Sequence, residues 1–278
     1  MATTPESVDL LGAFLKDRRA KLDPVALGFQ TSRRRTPGLR REEVAQRASI
    51  SATWYTWLEQ GRGGAPSADV LERIAQALML TDAEREHLFL LALGRPPEVR
   101  YLPTEGVTPR LQRVLDAFSQ GPAFVKTAMW DVVAWNRAAT VVLTDYGKLP
   151  PEKRNILRLV FQENRVRDAQ FDWEGVARFV VAAFRADVAR VGMASKVEGF
   201  IDELRTTSPE FDAIWRSNDV RGYGDGLKRL RHELLGPMSF EYSSFIVDGR
   251  PDLSLVVYNP ATPEDAQRLA SLMKDMPG

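Results

Sequence analysis

Apolar positions in residues 8–93 recur at helical spacing between short turn signals. Leu10, Leu11, Phe14, Leu15 and Leu22 recur at that spacing, and Asp23-Pro24 ends the pattern. Val44, Ala45 and Ala48 predict a short second helix, interrupted by Ser49-Ile50-Ser51. A third runs from about Ala52 to Gln60 and stops at Gly61, a residue that tolerates the left-handed backbone past a helix end. Pro66-Ser67 caps a fourth, with Val70, Leu71, Ile74, Ala75 and Leu78 on one side. Thr81-Asp82-Ala83-Glu84 has the spacing of a reciprocal cap opening a fifth, which carries Leu88, Leu91 and Ala92. Five short helices predict a small all-α domain over residues 1–95.

From Gly94 to Pro109 the chain holds four Pro and two Gly, which predicts a linker over residues 96–110. Residues 111–278 suffice for one further core. Strand-like runs cover Ala123 to Thr127 and Trp130 to Trp135, and helical patterns fill 137–146, 151–162, 173–192, 196–206 and 210–217. Two more strand-like runs, Met238 to Val247 and Leu253 to Tyr258, are joined by the turn Asp248-Gly249-Arg250-Pro251. Thr262-Pro263-Glu264-Asp265 opens a last helix with Pro at its first position. Strands, then helices, then strands predict an α+β domain, so the chain is multidomain.

Composition narrows the chemistry. The chain has 278 residues, no Cys and two His, so disulfides, thiolate zinc sites, iron–sulfur clusters and cysteine nucleophiles are excluded. His87 and His232 lie too far apart in sequence to suggest a multi-histidine metal centre. No run approaches the ~18–20 apolar residues of a membrane span, and the N-terminus lacks the basic and apolar run of a secretory signal. A cytoplasmic protein without a membrane partner is expected.

The net charge of +1 conceals an uneven distribution. Lys16 to Arg47 carries ten Lys plus Arg against four Asp plus Glu, and the rest of the chain is mildly acidic. Arg33, Arg34, Arg35, Arg40 and Arg41 cluster directly ahead of the second helix, placed to supply the phosphate contacts that dominate DNA affinity. Two short helices joined by a three-residue turn form a helix-turn-helix arrangement. Its geometry needs a small residue in the first helix (Ala45), an apolar turn residue (Ile50) and apolar anchors on the second (Tyr55, Leu58). Ser51 is placed to cap the second helix, whose first turn then faces base edges in the major groove.

Several segments resemble one family. They are Leu11-Gly12, Phe14-Leu15 and Arg18-Arg19, the run from Arg34 to Ala45 (RRTPGLRREEVA), Leu58 to Arg62 (LEQGR) and Pro66-Ser67. Together they resemble the MmyB-like branch of the XRE (Cro/C1-type) helix-turn-helix regulators. Pro122 to Val125, Asp131 to Asn136, His232 with Gly236-Pro237, and Leu255 to Tyr258 resemble that family's PAS-like ligand-binding domain. The resemblance implies a transcriptional regulator of double-stranded operator DNA, a homodimer, with a five-helix first domain. It puts Ala52, Thr53, Thr56 and Trp57 at base-facing positions, Arg41 on a phosphate, and Arg62 near another. Trp57 departs from the pattern, where Arg is commoner; an indole offers one N–H and an apolar face. It either reads DNA or packs against a partner subunit or domain, while Trp54 and Tyr55 read as core. Arg19 and Glu59 resemble a partly buried structural ion pair of this fold.

The second domain is rich in large apolar side chains, as small-molecule pockets are. Trp130, Trp135, Phe179, Phe184 and Tyr242 are the candidate wall residues, with Arg178 or Arg185 to meet a carboxylate head. The resemblance suggests a fatty-acid-like or similarly apolar effector; the domain either binds it, dimerises, or does both. A lone His232 reads as a structural hydrogen-bonding group. Arg221 to Gly226 is Gly-rich but lacks GxGxxG spacing and a preceding strand. There is no GxSxG, HExxH or P-loop, so neither an enzyme nor a cofactor is expected. Two alternatives stay open: a ligand-independent dimer, and an enzyme with an accessory helix-turn-helix.

Overall fold

Side-chain caps fix most helix starts, as a Ser, Thr or Asn oxygen satisfies an otherwise orphaned backbone N–H. The computed structural model describes residues 5–30, 37–62, 64–97, 106–190 and 197–275. The chain divides into two units, Met1–Pro97 and Glu98–Gly278.

The first unit contains α1 (Pro5–Lys21), α2 (Arg41–Ala48), α3 (Ala52–Glu59), α4 (Ala68–Ala77) and α5 (Asp82–Leu93). Ser51 Oγ accepts from Trp54 N at 3.2 Å, and Ser67 Oγ accepts from Val70 N at 3.4 Å. The Thr81–Glu84 cap is reciprocal, at 3.3 and 2.9 Å. Leu15, Val44, Ala45, Tyr55, Leu58, Ile74 and Leu88 share one buried core. Leu10, which shares the helical spacing, is 56% exposed, while Leu11 beside it is buried in that core. Gly12 is required: a Cβ there would stand 2.5 Å from Glu59 O, so α1 lies directly on the end of α3.

The second unit runs α6 (Pro109–Ala117), β1 (Ala123–Thr127), β2 (Val132–Trp135), α7 (Arg137–Val142), α8 (Ile156–Gln162), α9 (Asn164–Asp168), α10 (Trp173–Arg190), α11 (Glu198–Thr207), α12 (Pro209–Arg216), β3 (Asp225–His232), β4 (Gly236–Val247), β5 (Arg250–Pro260) and α13 (Pro263–Asp275). The strands form one antiparallel sheet of order β2-β1-β5-β4-β3. Phe124, Phe240, Val256 and Tyr258 pack on one face with Tyr146 and Leu159, while Ala123, Val125, Leu253 and Val257 pack on the other with Leu115 of α6. Trp130, Leu157, Val181, Phe184 and Phe211 form a further core among the helices. This is the α+β arrangement the sequence predicts, an antiparallel sheet with packed helices.

The structure departs from the sequence reading at five places. The run expected as a strand from Trp130 begins at Val132; Trp130 sits in a tight turn at φ 65°, its N bonded to Thr127 O at 2.9 Å. The helix expected over 137–146 stops at Val142, and a 3-10 turn follows at Tyr146–Lys148. The pattern at 151–162 splits into a 3-10 turn and α8, because Asn155 caps a new start by accepting from Leu157 N and Arg158 N. Strand β3 was not expected. The stretch expected as a linker, 96–110, ends inside the first turn of α6, which Thr108 caps.

Candidate functional site

The helix-turn-helix forms as the spacing requires. The turn from α2 passes through Ser49 at φ 53°, and Ile50 N bonds back to Ala45 O at 3.0 Å. Tyr55 and Leu58 turn inward, which leaves Thr53 and Trp57 exposed along the outer side of α3, with Ala52 and Thr56 half-buried beside them. Trp57 is 48% exposed, so within this unit it is not core. Thr56 Oγ1 donates to Ala52 O at 2.8 Å, which engages its proton on the helix itself. Ser51 is exposed at the cap. Just past Gly61, at φ 70°, Arg62 is exposed, its N bonded to Trp57 O at 2.8 Å. Arg33, Arg34 and Arg35 lie outside the described residues.

A buried carboxylate sets the position of α3. Glu59, at its last turn, has a side chain only 1% exposed. It accepts from Arg19 Nε at 2.6 Å, Arg19 Nη2 at 3.1 Å and Arg41 Nε at 2.7 Å. Arg19 Nη1 donates to Leu39 O at 2.6 Å, and Leu39 N returns a bond to Arg19 O at 3.1 Å. One carboxylate therefore joins α1, α2 and α3 with the segment that leads into α2. Burial acts to raise the Glu59 pKa, but hydrogen bonds from the two guanidiniums overcome it and hold the carboxyl below its usual range. Arg41 is thus partly committed to Glu59; its side chain is 38% exposed, and Nη1 and Nη2 make no hydrogen bond among the described residues. Arg40 N is bonded to Glu43 Oε2 at 2.7 Å, and its side chain is exposed.

The second unit holds a half-open cavity of about 770 Å³. Phe124 and Tyr258 come from the sheet, Val141 to Thr144 and Tyr146 from the end of α7 and the following turn, Leu159 and Val160 from α8, and Val176 and Val180 from α10. Arg165, Asp168 and Gln170 around α9, Tyr223, and Lys228 with Leu230 to Leu234 add a more polar side to the wall. The hydroxyls of Tyr223 and Tyr258 meet at 3.1 Å. Tyr146 is 97% buried, yet its hydroxyl has no hydrogen-bond partner among the described residues. Burial pushes the pKa of all three hydroxyls up, so they stay protonated.

None of the seven residues singled out in the sequence lines this cavity. The aromatic ones stand one layer behind it. Trp135 packs on Tyr146 at 5.4 Å between ring centres; Trp130 and Phe179 pack on Tyr223, both at 5.5 Å, and Tyr242 does so at 5.2 Å. Phe184 packs deeper, against Trp130 at 6.2 Å. The two arginines are elsewhere. Arg178 pairs with Glu174 at 2.7 Å, while Arg185 donates to the carbonyls of Asp219 and Trp215 at 2.8 and 2.5 Å. Trp130 Nε1 and Lys126 Nζ both bond Asp187, at 2.9 and 2.6 Å, an internal ion pair behind Tyr223.

His232 fills the structural role expected of it. Its Nε2 donates to Val141 O at 3.0 Å, and Nδ1 accepts from Leu234 N and Leu235 N at 3.2 and 3.3 Å. The ring thereby ties the turn after β3 to α7 at the cavity rim. Sequence reading missed Tyr146, Tyr223 and Lys228. The last had no local signal, since the inward face of β3 reads Gly226, Lys228, Leu230 and His232 and shows no apolar alternation.

Among the described residues no helix is long and apolar enough to cross a membrane, and no three His, Asp or Glu are grouped to hold a metal. Residues 107–272 match the family model of the MmyB-like transcription regulator ligand binding domain, and residues 10–88 match a helix-turn-helix domain model. No curated protein matches the chain. The chain belongs to the MmyB-like transcription regulators, DNA-binding regulators that join a helix-turn-helix unit to a ligand binding domain.

Proposed function

We propose that α3 enters the major groove of an operator, with Ala52, Thr53, Thr56 and Trp57 toward the bases. Ser51 and the arginines 33, 34, 35, 40, 41 and 62 then meet the flanking backbone. The effector is a small, mainly apolar molecule held in the cavity of the second unit, and its occupancy changes operator affinity. Two copies act together on a palindrome, in the cytoplasm, and the chain catalyses no reaction. The cavity is the observation that supports the effector reading: its volume lies in the ~300–1,000 Å³ range of ligand sites, and its wall joins aliphatic and aromatic side chains to polar ones such as Arg165, Gln170 and Lys228.

Native mass spectrometry of the full chain tests the effector. The reading expects either a co-purified small molecule or a stoichiometric adduct with added dodecanoate. Bare protein mass under both conditions overturns the effector part and leaves a ligand-independent regulator.

A further inference from the structure

We propose that two copies of the chain associate by pairing strand β3 of one with β3 of the other, antiparallel and centred on Leu227. This rests on the two-copy reading above and names the contact that joins the copies.

Strand β3 is the last of the sheet, and beyond the bridge from Gln170 to Leu230 nothing pairs its outer side among the described residues. Arg231 N bonds Ala169 O at 2.7 Å on that side, while Gly224 O accepts from Ser244 N of β4 at 2.9 Å on the other. Backbone groups of a strand alternate between its two sides, and the β3–β4 register runs without a shift from Asp225 to His232. The N–H and C=O of Asp225 and Leu227 and the N–H of Arg229 therefore point out along the free edge. Such an edge is a template for pairing with another chain, and folded proteins usually cover or blunt it. Here it carries Leu227, 60% exposed. Gln170 closes the edge at Leu230, and Gly224, at φ 50°, turns the chain at the other end, so the open stretch runs from Asp225 to Arg229.

The side chains of that stretch fit a second copy of itself. In an antiparallel pair centred on Leu227, the two leucines lie opposite each other, and each Asp225 lies opposite the partner's Arg229. Both charged residues are exposed, and neither forms an ion pair among the described residues. They cannot meet within one strand, because four residues of extended chain hold them ~13 Å apart. A two-fold contact requires a patch complementary to itself, and Asp225-Gly226-Leu227-Lys228-Arg229 has that property: opposite charges at its ends and an apolar centre. Lys228 and Leu230 line the cavity, so the pairing uses the edge of β3 and leaves the cavity wall in place.

The test is sedimentation equilibrium of the full chain and of two charge reversals, Asp225→Arg and Arg229→Asp. Each puts like charges opposite one another at both ends of the pair, and each is expected to weaken self-association about tenfold. Mixed in equal amounts, the two variants are complementary again and are expected to associate about as tightly as the parent, a recovery that requires both to be folded. Because the chain has no Cys, Leu227→Cys gives a second readout. Opposed positions in such a pair stand within disulfide reach, so mild oxidation is expected to link two copies through it, and not through Glu152→Cys at another exposed position. Reversal variants that associate like the parent overturn the β3 contact and leave the copies joined elsewhere. Weakened variants that do not recover on mixing also overturn it, as does equal cross-linking at the two cysteine positions. A parent that stays monomeric overturns the contact together with the two-copy reading.

Discussion

Arg19 grips Glu59 with two nitrogens, at 2.6 and 3.1 Å, from a helix forty residues earlier in the chain. Both side chains are at least nine-tenths buried, and Arg41 reaches the same carboxylate at 2.7 Å. Helix α3 is thus held by charge at its C-terminal end and by a serine cap at its N-terminal end.

Removing one partner strands the other in the core, so Arg19→Ala is predicted to destabilise the first unit by ~3–5 kcal/mol. Chemical denaturation of the full chain, followed on the first transition, measures it. Melting identical to that of the parent contradicts a structural role for the pair.

The same cluster predicts an acid response. The folded pKa of Glu59 lies below its unfolded value near 4.5, so the stability it contributes is complete above that pH. It is lost as pH falls through the lower folded value, when protonation leaves Arg19 and Arg41 facing a neutral acid. The neighbouring Tyr55 hydroxyl, raised by burial, does not titrate there. Glu59→Gln should therefore be less stable at neutral pH, with the gap to the parent closing below pH 4.5. A gap that stays constant as pH falls counts against the assignment.

Lys228 makes the opposite kind of prediction. A lysine that lines a cavity without an ion pair weakens the fold. Lys228→Met should raise the melting temperature of the chain. Between pH 8 and 10.5 the unfolded chain binds this proton more than the folded one does, so parent stability from this group should rise with pH across that window. The rise should be absent in Lys228→Met. Arg165, Asp168, Arg231, His232, Glu233 and the hydroxyls of Tyr146, Tyr223 and Tyr258 share the wall, so the variant serves as the control for all of them.

On DNA, phosphate and base contacts separate by salt. Arg62→Ala is predicted to weaken all sequences alike and to lower the slope of log affinity against log salt by about 1. Thr53→Ala and Trp57→Ala are predicted to leave that slope unchanged and to relax preference at particular base pairs by ~1–3 kcal/mol. Anisotropy titrations at several salt concentrations distinguish the two classes.

The first unit was largely legible because its signals are local. Caps at Ser51, Ser67 and Thr81 and the spacing of Ala45, Ile50, Tyr55 and Leu58 operate within a few residues. The cavity was not legible, because its wall gathers residues as distant as Phe124 and Tyr258, and cross-strand and helix-to-sheet distances leave no local period. Aromatic content pointed to the correct domain but one layer too deep: Trp130, Trp135, Phe179 and Tyr242 brace the tyrosines that face the void. Strand β3 was missed for a related reason. Its inward face reads Gly226, Lys228, Leu230 and His232, so the apolar alternation that marks a strand fails where a lysine replaces a hydrophobe.

The central claim is that this chain recognises a particular DNA sequence through α3. The most direct measurement is selection of fragments from the encoding genome by the purified full chain, followed by sequencing of what is retained. The account predicts a discrete set of sites sharing an inverted repeat with half-sites roughly 10–10.5 base pairs apart or a multiple of that. It predicts further that the motif changes in Thr53→Ala and Trp57→Ala. Retained fragments with no shared sequence would contradict it.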